Sequence, residues 1–210
     1  MRIEIRRVDG LDRNGLLDEI LRVEEEAWPE EVRASREKFA SRLDTFPEGI
    51  FLAYLDGRLM GVLTSEIIRF DIDNPPVSWE KTTDNGFIKN THNKDGNALY
   101  VVSLGVSGLA QGQGLGSRLL TEAKAFVQER GLTSLVLGAR IPGYHQFHQE
   151  HPDVDIDEYL KTTKDQEPID PEIRFYMRNG LRVVKVVPNY MEDDPQSENY
   201  GAVMIWERNI

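Results

Sequence analysis

The chain has 210 residues, 40% hydrophobic and 29% charged, which suits one well-cored globular domain over residues 1–210 and excludes disorder as a description of the whole. With 25 basic against 36 acidic residues the formal charge is −11, so a sequence-independent grip on nucleic acid is not expected, because that affinity comes from clustered cations. Cysteine is absent, which removes disulfides, thiolate nucleophiles and cysteine-ligated metal centres and leaves the chemistry to oxygen and nitrogen groups.

At the N-terminus Ile3 and Ile5 alternate with Arg2, Glu4 and Arg6, the period of a half-buried strand rather than of a secretory signal. No stretch approaches the roughly 18 apolar residues of a membrane span, so no membrane partner is expected and the cytoplasm is the default location. From about Asn14 to Trp28, Leu16, Leu17, Ile20, Leu21 and Val23 recur at helical spacing until Pro29 ends the pattern. Ser35 is placed to cap a second helix that carries Phe39, Ala40 and Leu43 and stops near Pro47. The apolar runs 50–55 and 59–64 flank Asp56-Gly57, a hairpin signal. Residues 71–97 are polar and rich in Asp, Asn, Pro and Gly, and read as a long loop.

The segment from Leu99 to Val106 is nearly continuous in apolar residues, as in a strand buried on both faces. An amphipathic helix follows, marked by Leu115, Leu119, Leu120, Ala123, Phe126 and Val127 and ending near Gly131, and then a buried strand over 134–138. Residues 150–171 are an acidic excursion with a short helix near 157–161. A compact helix over about Pro171–Asn179, closed by Gly180, precedes two last strands at 182–187 and 202–206. The expected fold class is mixed α/β, a central and mostly antiparallel sheet of six to seven strands flanked by about four helices.

Between the strand and its helix lies Gln111-Gly112-Gln113-Gly114-Leu115-Gly116-Ser117. Three glycines in five positions at a helix start admit close approach of a ligand, and the free N–H groups with the helix dipole favour an anion such as a pyrophosphate. A tight turn with glycines at packing contacts is the plainer alternative. A Walker loop requires Gly-Lys-Ser/Thr where this chain has Gly116-Ser117-Arg118, and the dinucleotide fingerprint lacks its third glycine, since Ser117 stands there.

The pattern Gln111-x-x-Gly114-x-Gly116, after a strand ending in Val106 and before a long helix, resembles the acetyl-CoA-binding motif of the GNAT superfamily of N-acetyltransferases. Phe175-Tyr176-Met177-Arg178-Asn179-Gly180-Leu181 looks like that family's Tyr-x-x-x-Gly segment. Arg140 to His145, Asn189 to Asp194 and Tyr200-Gly201 are similar to acetyltransferase-like modules that some bacteria fuse to a nitrilase-type hydrolase. With Ile210 as the last residue no hydrolase domain is expected to follow, and amidase activity is not carried over.

The resemblance implies transfer of acetyl from acetyl-CoA to a small-molecule or peptide amine by direct attack, in a cytoplasmic bacterial homodimer. It implies that backbone N–H groups of Gln111, Gly112, Gln113, Gly114, Leu115, Gly116 and Ser117 bind the pyrophosphate and that Leu104, Gly105 and Val106 pair with the pantetheine arm. A backbone N–H near Val106 would stabilise the oxyanion, and Tyr176 would protonate the departing thiolate. Some members carry a glutamate on the strand before the glycine turn, where this chain has Ala98, Leu99 and Tyr100, so Glu66, Glu80 and His92 stand as alternative bases. The missing strand acid also leaves open a non-catalytic module that binds CoA or a protein partner. His145, His148 and His151 repeat at three-residue spacing, but with Pro142, Gly143 and Pro152 around them and no zinc signature nearby a polar loop is expected there and no metal.

Overall fold

The computed structural model describes residues 2–8 and 13–208; Met1, at the head of the expected first strand, lies outside them. The chain divides into two compact units, one of Met1–Phe70, Thr83–Leu135 and Glu207–Ile210, the other of Asp71–Thr82 and Val136–Trp206.

In the first unit β1 (Ile3–Arg7), β2 (Ile50–Leu55), β3 (Arg58–Ile68) and β4 (Ala98–Val106) pair antiparallel in that order. The β2–β3 turn is made by Asp56 at φ 48° and Gly57 at φ 86°, the pair of left-handed conformations that matches the twist of a two-residue hairpin. Helices α1 (Leu16–Ala27) and α2 (Arg36–Thr45) bury Leu16, Ile20, Val23, Phe39 and Leu43 against Leu52 and Val62. The Ser35 hydroxyl caps α2 by accepting from the Lys38 N–H at 3.4 Å. The short α3 (Trp79–Thr83), inside the polar stretch expected to be a loop, belongs to the second unit except for Thr83, and the first unit continues with α4 (Leu115–Glu129). Its Phe126 ring meets Phe51 edge-on at 5.9 Å, and since Phe51 and Leu52 point to opposite sides of the strand, α4 covers the face that α1 and α2 leave.

The second unit holds β5 (Ser134–Arg140, whose first two residues belong to the first unit), α5 (Tyr144–Glu150), α6 (Ile156–Lys161), a small hairpin of β6 (Thr163–Lys164) and β7 (Glu167–Pro168), α7 (Pro171–Arg178), β8 (Arg182–Val187) and β9 (Gly201–Glu207). Here β9 lies between β5 and β8, antiparallel to β8 from Arg182 opposite Ile205 to Val187 opposite Gly201. Among the described residues there are thus seven strands of five residues or more and four helices of eight or more, matching the expected mixed α/β content. The three further helices, α3, α5 and α6, have five to seven residues. Among the described residues no helix is long and apolar enough to cross a membrane.

Candidate active site

The turn from β4 to α4 is anchored at its start and open at its end. The Ser107 N–H donates to the Met60 carbonyl at 2.8 Å, and the Ser107 hydroxyl accepts from the Leu109 N–H at 3.3 Å. Gln111, Gly112 and Gly114 are exposed and Gln113 is half-buried, whereas Leu115 and Gly116 are buried in the first turn of α4. Gly112 at φ +76° and Gly114 at φ +78° occupy the left-handed region, and a Cβ at either would meet nothing within 4 Å. Glycine therefore supplies backbone freedom and an open approach here, not relief of a clash. Helix α4 begins with no side-chain cap and no acid in its first turn, so the N–H groups of Leu115, Gly116 and Ser117 project from the positive end of the helix unneutralised. Such an arrangement suits a phosphate-type anion.

On β4, residues 98–102 are buried while Ser103, Leu104 and Val106 are half-buried. Gly105 between them is buried against α1: a Cβ there would stand 2.8 Å from Trp28 Nε1 and 3.1 Å from Ala27 Cβ.

Tyr176 sits on α7 in the second unit. The Asp170 carboxylate caps that helix, its Oδ1 accepting from the N–H groups of Glu172 at 3.0 Å and Ile173 at 3.1 Å, with Pro171 in the first turn. Ile173 and Tyr176 are the buried residues of α7. Burial, and secondarily the charge of Glu172, push the phenol well above its ordinary value, so it carries its proton at any working pH.

The three alternative bases have different surroundings. Both carboxylate oxygens of Glu80 are occupied, Oε2 by the Ser78 hydroxyl at 2.9 Å and Oε1 by the Glu192 N–H at 2.8 Å. His92 accepts from the Ile67 N–H through Nδ1 at 3.1 Å and lies against the Phe46 ring at 4.3 Å, and burial lowers its proton affinity. Glu66 is fully buried on β3 opposite Tyr100 of β4. Its Oε2 accepts from the half-buried Thr91 hydroxyl at 2.7 Å, and its Oε1 has no hydrogen-bond partner among the described residues. Burial pushes this carboxyl up to about 8, against an ordinary 4.5.

A family model described as acetyltransferase (GNAT) family matches residues 14–150. This chain belongs to the GNAT family. It is 34% identical to the uncharacterized N-acetyltransferase YkwB of Bacillus subtilis (strain 168) over 195 residues, 91% of this chain and 84% of that protein. It is also 31% identical to the probable hydrolase YhcX of the same organism over 202 residues, 96% of this chain but 38% of that protein, so YhcX extends well beyond the matched part. Among solved structures the GNAT-like decarboxylase GphF in complex with isobutyryl-CoA superposes with a TM-score of 0.76 at 22% identity, covering 99% of each chain, a likeness of fold.

Two features of this GNAT chain depart from the sequence expectation or escape it. The His145–His151 segment is helix α5 with His151 at its C-cap, not a polar loop, because Pro142 and Gly143 precede the helix and Pro152 follows it. His145 and His148 each direct Nδ1 to Glu198, at 3.0 and 3.2 Å, and among the described residues no group of three or more ligating side chains is arranged to hold a metal. The second feature is Arg42, fully buried beneath β3 and β4: its Nε donates to the Gly86 carbonyl at 2.7 Å and its Nη1 to Thr64 and Ser103 hydroxyls at 3.2 and 3.1 Å. Nothing in the helical pattern of 36–45 marks this arginine as buried.

The raised proton affinity of Glu66 has a consequence for stability. Between about pH 4.5 and 8 the folded chain holds a proton there that the unfolded chain releases, so stability falls as pH rises through this window. Glu66→Gln, neutral at every pH and able to keep the Thr91 contact, removes that fall. Its melting temperature relative to wild type is expected to rise by roughly 10 °C between pH 5 and pH 9 in calorimetric scans. A constant difference across that range contradicts the assignment.

Proposed function

We propose that this chain transfers an acetyl group from acetyl-CoA to a primary amine of a small molecule or peptide, by direct attack of the amine without an acyl-enzyme. The observation that carries the reading is the uncapped start of α4 behind the exposed, left-handed Gly112 and Gly114, in a chain of the GNAT family. Backbone N–H groups of Gly112 to Ser117 would hold the pyrophosphate, and the half-buried end of β4, Leu104 to Val106, would align the pantetheine arm as a neighbouring strand does. A backbone N–H near Val106 would donate to the oxyanion as the carbonyl is attacked.

The amine must lose a proton to react. Glu66 is the one of the three alternatives with an unused carboxylate oxygen, and its ionisation near 8 suits the task. Being buried, it would take the proton through the Thr91 hydroxyl, which accepts from the amine while giving its own hydrogen to Oε2. Tyr176 would protonate the leaving thiolate. Its buried, proton-retaining phenol supports an acid and not a base.

The test is thiol release from acetyl-CoA with a panel of ethanolamine, spermidine, lysine and an unacetylated hexapeptide. At least one amine should release thiol, and Tyr176→Phe should lower kcat at least about tenfold with KM for acetyl-CoA within about twofold. Acetyl-CoA binding without thiol release from any amine would turn the reading to a non-catalytic CoA-binding module.

A further inference from the structure

The surroundings of Tyr176 contain a charge arrangement that the acetyl-transfer reading leaves unused. Arg140, at the end of β5 and buried, forms a two-pronged pair with the fully buried Asp194, Nε to Oδ2 at 2.9 Å and Nη2 to Oδ1 at 2.6 Å. Its Nη2 also donates to the Gln196 side chain at 3.0 Å. The remaining nitrogen, Nη1, stands 3.7 Å from Glu172 Oε1. Glu172 is one helical turn before Tyr176 on α7, so the two side chains share a face of the helix.

Three carboxyl groups, Asp170 at the helix cap, Glu172 and Asp194, thus face one guanidinium whose two best-aligned hydrogen bonds go to Asp194. One cation does not neutralise three anions in a buried site; Asp194 holds the guanidinium and Asp170 accepts four hydrogen bonds from other groups, so the partner that retains its proton is the one that meets the guanidinium only at 3.7 Å. Glu172 is that partner, with its carboxyl pushed up to about 8, first by burial and then by the charges of Asp170 and Asp194 against Arg140. It keeps a quarter of its side-chain surface exposed, which leaves a path to solvent.

We propose that Glu172 is the proton supplier for Tyr176, with Arg140, fixed by Asp194, as the positioning residue that holds the carboxylate formed. The inference rests on the reading of Tyr176 as the acid. When the phenol O–H breaks and the thiol S–H forms, the tyrosinate takes the Glu172 proton; the Glu172 carboxylate, held by Arg140, then takes one from solvent. No electrons are gained or lost by the chain, and the cycle closes with both groups protonated.

The test measures kcat and KM from pH 6 to pH 10 for wild type, Glu172→Gln, Glu172→Asp and Tyr176→Phe, using acetyl-CoA and the most active amine of the panel. Wild type should show a bell-shaped kcat profile peaking near 8, its acidic limb set by ionisation of Glu66 and its alkaline limb by loss of the Glu172 proton. Glu172→Gln, a group without an acidic proton, should lower kcat about tenfold, leave KM for acetyl-CoA within about twofold and abolish that alkaline limb. Glu172→Asp should recover part of kcat with the limb displaced; this variant decides the matter if circular dichroism shows the glutamine variant unfolded. Wild-type kcat with an unchanged limb in Glu172→Gln, alongside a tenfold loss in Tyr176→Phe, overturns this inference alone, as does an undisplaced limb in Glu172→Asp where that variant decides. A fully active Tyr176→Phe, or no thiol release with any amine, overturns it together with the reading beneath it.

Discussion

Gly114→Glu is expected to raise the dissociation constant for acetyl-CoA by at least about 100-fold in calorimetric titration while leaving the protein folded. The fold tolerates the change because a Cβ at position 114 meets nothing within 4 Å, so the cost is the left-handed backbone alone, about 1–2 kcal/mol. Part of that cost is offset, since a carboxylate at the start of α4 interacts favourably with the helix dipole, which no acid of the native first turn does. The same interaction is what removes the ligand. The new carboxylate competes for the N–H groups of Leu115 to Ser117 and repels the pyrophosphate. Gly114→Ala separates the two effects: it carries the backbone strain without the charge and should weaken binding only a few-fold. Wild-type affinity in the glutamate variant would show that the N–H groups behind Gly114 do not hold the pyrophosphate.

Removal of Arg42 should cost about 3–5 kcal/mol of stability, or roughly 10 °C in melting temperature. Arg42 is fully buried, stacks its guanidinium 4.8 Å over the Phe39 ring and satisfies the Gly86 carbonyl and the Thr64 and Ser103 hydroxyls. Its charge also offsets two buried carboxyls, Glu24 and Glu66. Arg42→Ala opens a cavity and leaves the Gly86 carbonyl without this donor. It also deprives both carboxyls of their compensating cation, which raises their proton affinity further. The deficit should therefore be larger at pH 8 than at pH 5. Arg42→Met, which restores volume but not charge, should recover the cavity part and keep the pH dependence. A melting temperature within about 2 °C of wild type for Arg42→Ala would contradict this account.

The elements legible in the sequence are those set by short-range chemistry. Asp56-Gly57 turns the hairpin because both residues reach positive φ at low cost, and Ser35 starts α2 because its hydroxyl reaches an N–H three residues on. The Gly112–Gly116 string marks the β4–α4 turn for the same reason, as backbone freedom needs no distant partner. Asp170-Pro171 likewise opens the helix that carries Tyr176. What tertiary structure alone decided is the electrostatic state of the side chains. Glu66 reads as an ordinary acid near the end of a hairpin strand, and it becomes a buried acid only because β3 continues to Ile68 and pairs with β4 at Tyr100. Arg42 reads as a helix surface charge until Gly86 and Ser103, 44 and 61 positions away, close over it. Arg140 and Asp194 meet across 54 residues, and only then does the Arg140 guanidinium stand 3.7 Å from Glu172. Turn and cap preferences are carried by a few consecutive residues. Proton affinities depend on desolvation and on charges brought together from distant parts of the chain, and no local pattern encodes either.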